Sequence, residues 1–329
     1  MLKNFTLIFV FLFSFQKIYS QNIYKRATTQ MGVSFVFSVE AENEEQGEKY
    51  LDFAQEEVKR IEDVISSWRS DTETGKVNQM AGIKAVPVSK ELFGLIKRSI
   101  RVSKLTNGYF DISFASLDKV WFFDRKMTEI PDSITVQKSV SKIDFHNIIL
   151  DEEKQTVFLK EKGMKIGFGA IGKGYAAESV KRKLQKLGVK SGLINASGDL
   201  TCWGKHPVHK KWQIAIANPK DDENALGWFP LENSSVVTSG NYEKFIVLDG
   251  KKYSHIIDPK TGWPVESLQS VTIFCPNAEL ADALATSVFV MGKNKGIELI
   301  NKLKGIECLI LDNQGEIFTS KDLKLQEKN

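Results

Sequence analysis

Strand-type runs in the second half of this chain follow one another directly, and that ordering limits the fold more than any other feature. Leu193 to Leu200 reads as a strand ending in a polar turn. Trp212, Ile214 and Ile216 then alternate in a further strand, closed by Asn218-Pro219. Val236 to Tyr242 is another strand-to-turn junction, Phe245 to Leu248 leads into the hairpin-like Asp249-Gly250, and Ser270 to Cys275 and Ile306 to Leu311 add two more runs. Parallel pairing would need a long crossover between successive strands. Strands therefore outnumber helices in an α+β arrangement, a single large domain of mixed, largely antiparallel sheets packed with helices. In the first half, Gly32 to Val39 alternates as a strand and Ile143 to Leu159 holds two short strands around the turn Asp151 to Lys154. Val120 to Phe123 is apolar enough for a core insertion or a pocket wall.

The helices are fewer. Glu48 to Ser66 carries Leu51, Ala54, Val58, Ile61 and Ile65 on one stripe. A second starts after the N-cap Ser89, carries Leu92, Ile96 and Ile100 on one face, and ends at Asn107-Gly108. A third follows a glycine run and presents Ala177, Val180, Leu184 and Leu187 before Gly188, and a last one spans Gly296 to Lys302. Residues 1–20 stand apart: Lys3, then an apolar run from Phe5 to Phe13 that Lys17 breaks early, then a junction at Ser20-Gln21. That pattern predicts a secretory signal peptide, with an uncleaved membrane anchor as the other reading. The mature domain is then 21–329. A formal charge of +4 over 329 residues gives no reason to expect nucleic acid. Cys202, Cys275 and Cys308 form neither a disulfide framework nor a zinc motif, which leaves buried small hydrophobes.

Three features carry chemistry. The run Gly167-Phe168-Gly169-Ala170-Ile171-Gly172-Lys173-Gly174 opens a helix, where free amides favour a phosphate and Lys173 adds a point charge; a packing turn explains the glycines equally well. Asp282 and Thr286, four residues apart, share a helix face, so their oxygens can reach one hard cation such as Mg²⁺; the alternative is that Asp282 caps the helix and Thr286 packs. His255 precedes Asp258-Pro259-Lys260-Thr261-Gly262, a tight turn that can hold it as a general base, and a structural histidine is the other reading. Trp68, Tyr109 and Phe110 stand at element ends, for stacking or for core filling. Ser239-Gly240 lacks the elbow of a serine hydrolase.

Taken in order, these motifs resemble the ApbE family of FAD:protein FMN transferases. The likeness runs from Met31-Gly32 to Gly292. It passes through Ser67-Trp68-Arg69-Ser70-Asp71, Gly108-Tyr109-Phe110-Asp111, Gly172-Lys173-Gly174-Tyr175-Ala176, Asn195 to Leu200, Thr238 to Tyr242, His255 to Gly262 and Ala281 to Thr286. The resemblance implies an ApbE-like, T-fold-related domain that binds FAD with Mg²⁺, cleaves its pyrophosphate and attaches FMN to a threonine or serine of an exported target, releasing AMP. Targets in such a family include membrane redox-pump subunits, which places the protein in the periplasm, free or attached to the inner membrane. It also implies roles by position. Asp282, Thr286 and the carbonyl of Ala170 fall on the metal ligands, and His255 on the base. Met31, Trp68, Tyr109, Phe110, Asp111, Lys173 and Ile256 fall on the flavin-nucleotide site.

The sequence departs from the family pattern twice. Gly167 stands where an aspartate is usual, which bears on FAD affinity, and Ala285 where many members carry a second acid, which bears on the metal. An FAD pyrophosphatase releasing FMN and AMP to water, and a flavin-binding protein without turnover, are the alternative functions.

Overall fold

The turn Met31-Gly32, with φ of 51° and 74°, folds β1 (Asn22–Gln30) back on β2 (Val33–Ala41). Two successive residues at positive φ match the twist of a two-residue hairpin. The computed structural model describes residues 22–117, 120–123, 125–216 and 226–324. The expected signal segment 1–20, its Ser20-Gln21 junction and the Asn218-Pro219 strand end lie outside the described residues.

Asn43 accepts the amide of Gln46 and starts α1 (Glu44–Ile65), four residues ahead of Glu48. The predicted stripe of α1 is buried throughout. Thr72 caps a short helix, α2 (Glu73–Gln79), that is too polar and brief to announce itself by periodicity. β3 (Val86–Pro87) precedes α3 (Lys90–Leu105), whose cap is Ser89 as expected. Asp132 caps α4 (Ser133–Val140), and β4 (Ile148–Asp151) and β5 (Thr156–Leu159) pair as anticipated, with β3 on the far edge of β5. α5 (Gly172–Lys186) buries Ala177, Val180 and Leu184, whereas Leu187 is its exposed C-cap.

The second half delivers the consecutive strands: β6 (Gly192–Ala196), β7 (Asp199–Trp203), β8 (Trp212–Ile216), β9 (Gly227–Leu231), β10 (Ser235–Gly240), β11 (Phe245–Leu248), β12 (Lys251–Ser254) and β13 (Leu268–Cys275). α6 (Ala278–Met291), α7 (Lys293–Ile300), β14 (Glu307–Asp312) and β15 (Ile317–Thr319) complete the described chain. The main sheet has eight strands in the order β1-β2-β6-β7-β10-β13-β14-β15. Every strand pairing among the described residues is antiparallel, so the α+β expectation holds and its sheets are antiparallel rather than mixed. β8–β9 and β11–β12 stand off as separate two-stranded ribbons.

α6 is the hub. It is apolar almost all round because it packs on β10 and β13 below and on α5 and α7 at its sides. A Cβ on Gly174 would lie 2.2 Å from the Ala278 carbonyl, so α5 can approach α6 this closely only with glycine there. The three cysteines are free and buried, as the spacing implied.

Candidate active site

Where α5 begins against α6, polar groups gather under apolar cover. Asn277 accepts the Leu280 amide and is the cap of α6. Asp282, one turn further on, is therefore released from capping and instead accepts the Gly174 amide at 2.9 Å through Oδ2. Thr286 lies on the same face, half-buried, with its hydroxyl 3.3 Å from that of Ser239 on β10. Ala170 sits in the turn just before α5. The glycine run serves packing at Gly174; its amide there is spent on Asp282 and is not left for a phosphate.

Lys173 points into this corner. Its ammonium lies 3.2 Å from Asp199 Oδ2 in an ion pair. Asp199 opens β7 and is fully buried, and Asp282 is nearly so. Burial raises the carboxyl pKa of both, and mutual repulsion adds to the rise at Asp199. Burial alone would lower Lys173, but Asp199, Asp282 and Glu243 outweigh it and hold the ammonium charged well above its ordinary range. Glu243 stands at the solvent rim; its pKa is raised by the protein packed on its inner side and by Asp282, against the pull of Lys173. Three acids thus face one ammonium.

His255 closes the other side. Its Nδ1 is 3.1 Å from the Lys244 carbonyl, while its main-chain amide donates to the same oxygen at 3.0 Å. A carbonyl only accepts, so neutral His255 carries its hydrogen on Nδ1 and keeps Nε2 as a free base. Burial lowers its pKa, and Lys244 and Lys173 add to the effect against the opposing carbonyl. The predicted turn is built by Asp258, whose carbonyl takes the Gly262 amide at 2.8 Å and whose Oδ1 takes the Lys260 amide at 2.8 Å. Val120 to Phe123 fulfils both of its readings: Trp121 is buried, donating to the Gly262 carbonyl, and Phe123 meets the His255 ring edge-on at 6.5 Å.

The residues matched to the nucleotide site divide. Met31 reaches the start of α5, its Cε 3.5 Å from where a Cβ of Gly172 would stand. Trp68 is 85% exposed on its loop, so core filling is not its role. Tyr109 is sandwiched by cations, with Lys260 Nζ 3.8 Å from its ring centroid and Lys295 Nζ 3.1 Å from its hydroxyl. It lines a cavity of about 410 Å³ between α3 and α7, while Gly108, Asp111 and Lys260 line another of about 200 Å³. Phe110 is packed into the main core and its side chain is not presented to a ligand. Ile256 is likewise buried and offers main chain only, its carbonyl taking the Val265 amide. Asp111 spends both oxygens inward, on Ser113 and on the Phe145 amide. Asp199 and Glu243 were not singled out by sequence; the visible signal for Asp199 was an acid directly after Ser197-Gly198 at the head of an apolar strand.

The donor set suits a hard cation. Asp282 supplies a carboxylate held by the Gly174 amide and bordered by Asp199, Thr286 adds a hydroxyl, and the local charge is negative. Among the described residues no three His, Cys, Asp or Glu side chains form a ready metal cage, so a cation here would complete its shell with main chain, water or substrate oxygens, the habit of Mg²⁺. At Gly167 a Cβ would lie 2.9 Å from that of Ala115 and 3.0 Å from Ser67 Oγ, so the space for a longer side chain has closed. Ala285 is buried in the core beneath α6.

An antiparallel α+β domain with an acid-rich corner, a half-buried lysine paired to an acid and a poised imidazole defines an enzyme of group transfer. The chain belongs to the ApbE family, which matches residues 29–310. It is 31% identical over 271 residues to an FAD:protein FMN transferase of Klebsiella pneumoniae, covering 82% of this chain and 84% of that one. An Escherichia coli K12 protein of the same description is 27% identical, with 81% and 79% covered. Among solved structures, the ApbE protein of Thermotoga maritima superposes with a TM-score of 0.84 at 28% identity, covering 91% of this chain and 97% of that one. The Pseudomonas stutzeri flavinyl transferase ApbE, at 24% identity and a TM-score of 0.81 over 92% and 95% of the two chains, matches in fold.

Proposed function

We propose that this protein is an FAD:protein FMN transferase that moves FMN from FAD to a threonine or serine hydroxyl of an exported target and releases AMP. The observation that carries the reading is His255, its Nδ1 tied to a carbonyl and its pKa lowered, facing the corner held by Asp282, Thr286 and Lys173. His255 Nε2 takes the proton of the acceptor hydroxyl as its oxygen attacks the phosphorus on the FMN side. A P–O bond to that oxygen forms, and the P–O bond to the AMP moiety breaks. Lys173 contributes a fixed positive charge for the pyrophosphate. Asp282, Thr286 and the Ala170 carbonyl would hold Mg²⁺, which neutralises phosphate charge when bound. Met31, Trp68 and Tyr109 border the nucleotide, and Phe110, Asp111 and Ile256 shape its walls from behind. The signal segment 1–20 would export the mature chain, residues 21–329, to the periplasm, where membrane redox-pump subunits are the targets expected.

The test incubates mature protein with FAD, Mg²⁺ and a target fragment carrying a threonine acceptor, read by intact mass. A stable gain of one FMN is expected. FMN and AMP without a modified target would make the protein a pyrophosphatase, and tight FAD binding without turnover would make it a binding protein.

A further inference from the structure

Asp199 lies against Asp282, and it is the most fully enclosed acid of the corner. Both of its oxygens lie out of solvent without a well-directed hydrogen bond, and among the described residues its ion pair is with Lys173. Such a group is costly to bury and calls for a reason. The reason is visible in what surrounds it. Lys173 is one residue from Gly174, whose amide holds Asp282, so the ammonium is within electrostatic reach of the acid that would carry the cation. A lysine there is useful against a pyrophosphate but hostile to a divalent cation, and without a second acid it would satisfy itself on Asp282.

We propose that Asp199 is a positioning residue that engages Lys173, keeping the ammonium off Asp282 so that one site can hold a cation and a fixed positive charge side by side. This rests on the cation-dependent reading of the site. Its charge arithmetic is specific. With Asp199 in place, the lysine is matched and Asp282, backed by Glu243 at the rim, faces the cation with net negative charge. With Asp199 neutral, the lysine matches Asp282 and the cation meets a neutral corner. The main-chain placement of Asp199 suits this role. The β6–β7 turn, held by the Gly198 amide on Asn195 Oδ1 at 2.8 Å, sets Asp199 at the strand head, on the Lys173 side of Asp282.

The test measures Mn²⁺ binding by electron paramagnetic resonance in the full mature chain, with FAD held saturating for each variant. Asp199→Asn is expected to weaken Mn²⁺ about tenfold or more, the size typical of groups that act on a metal ligand from behind. Lys173→Met alone should bind Mn²⁺ as tightly as wild type or tighter. The double variant should recover to within about threefold of wild type, a rescue by deletion that a merely structural Asp199 would not give. If the double variant binds no better than Asp199→Asn, the inference falls. If Asp199→Asn fails to fold, the Lys173→Met arm still decides, since weaker binding there overturns the inference. Absence of saturable Mn²⁺ binding in wild type would instead remove the cation site itself, and equal binding by wild type and Asp199→Asn would remove only the role given to Asp199.

Discussion

Two acid clusters pack against α5, and they are built in opposite ways. In the first, Glu57 of α1 accepts from Arg60 Nε and Nη2 at 2.9 Å each, from Ser179 at 2.9 Å and from Lys183 at 2.6 Å. Glu91 of α3 takes Arg60 in a two-pronged pair at 2.7 Å and the Tyr175 hydroxyl as well. Burial pushes Glu57 up, but its donors outweigh that and leave it below the usual carboxylate range; Arg60 does the same for Glu91. In the second, Asp199 and Asp282 are raised by burial, share one lysine and leave oxygens unused. The same ingredients thus clamp three helices in one place and store unspent charge in another. Satisfaction of polar groups, rather than their number or depth, separates a structural joint from a reaction centre.

That contrast can be broken by experiment. His255→Ala should lower FMN transfer by about 10²–10⁴-fold, the usual worth of a general base, while FAD binding measured by fluorescence is spared; unchanged transfer would remove His255 from that role. Asp282→Asn should abolish Mn²⁺ binding and cut transfer at least roughly a hundredfold. Because it removes a repelling buried charge, it should leave urea stability unchanged or higher, and a clear loss would erase the distinction between the clusters. Glu57→Gln should do the reverse, costing about 3 kcal/mol in urea denaturation by stranding Arg60 and Lys183, with the KM for FAD unaltered.

Acid should sort the clusters by sign. Glu57 and Glu91 have lowered folded pKa values, so their stabilisation is full above the unfolded carboxylate range near ~4.3 and fades as pH falls through the folded values. Asp199 and Asp282 have raised values, so their cost at neutral pH diminishes as pH falls through those values. The stability gap between wild type and Asp282→Asn should therefore narrow from pH 7 downward, while the gap for Glu57→Gln holds until the more acidic range. The smallest effect expected is Thr286→Val, about a fivefold loss of Mn²⁺ affinity, the worth of about 1 kcal/mol for a neutral oxygen.

Sequence reasoning reached what is local. The stripe of α1, the Ser89 cap, the alternation of β8 and the turn before β12 each follow from neighbours in the chain. It also brought out Asp282, Thr286, His255 and Lys173, because spacing and ordered motifs mark them. It missed α2 and α4, which are short and held by capping rather than by a stripe. It missed the partnership of Asp199 with Lys173, since a strand head and a helix start become neighbours only when β7 packs under α5. It also placed Phe110 and Asp111 in one motif beside Tyr109, where the fold sends the ring of Phe110 inward and spends Asp111 on main-chain amides.

The hydrogen bond from His255 to the Lys244 carbonyl has one more consequence. The acceptor belongs to the main chain, so every side chain at position 244 supplies it equally. Exchanges at that position can retune the surface charge beside the site without touching the tautomer of the imidazole. A mutational scan would mark position 244 as tolerant while its peptide group remained indispensable, and only a change that bends the β11–β12 ribbon would expose that dependence.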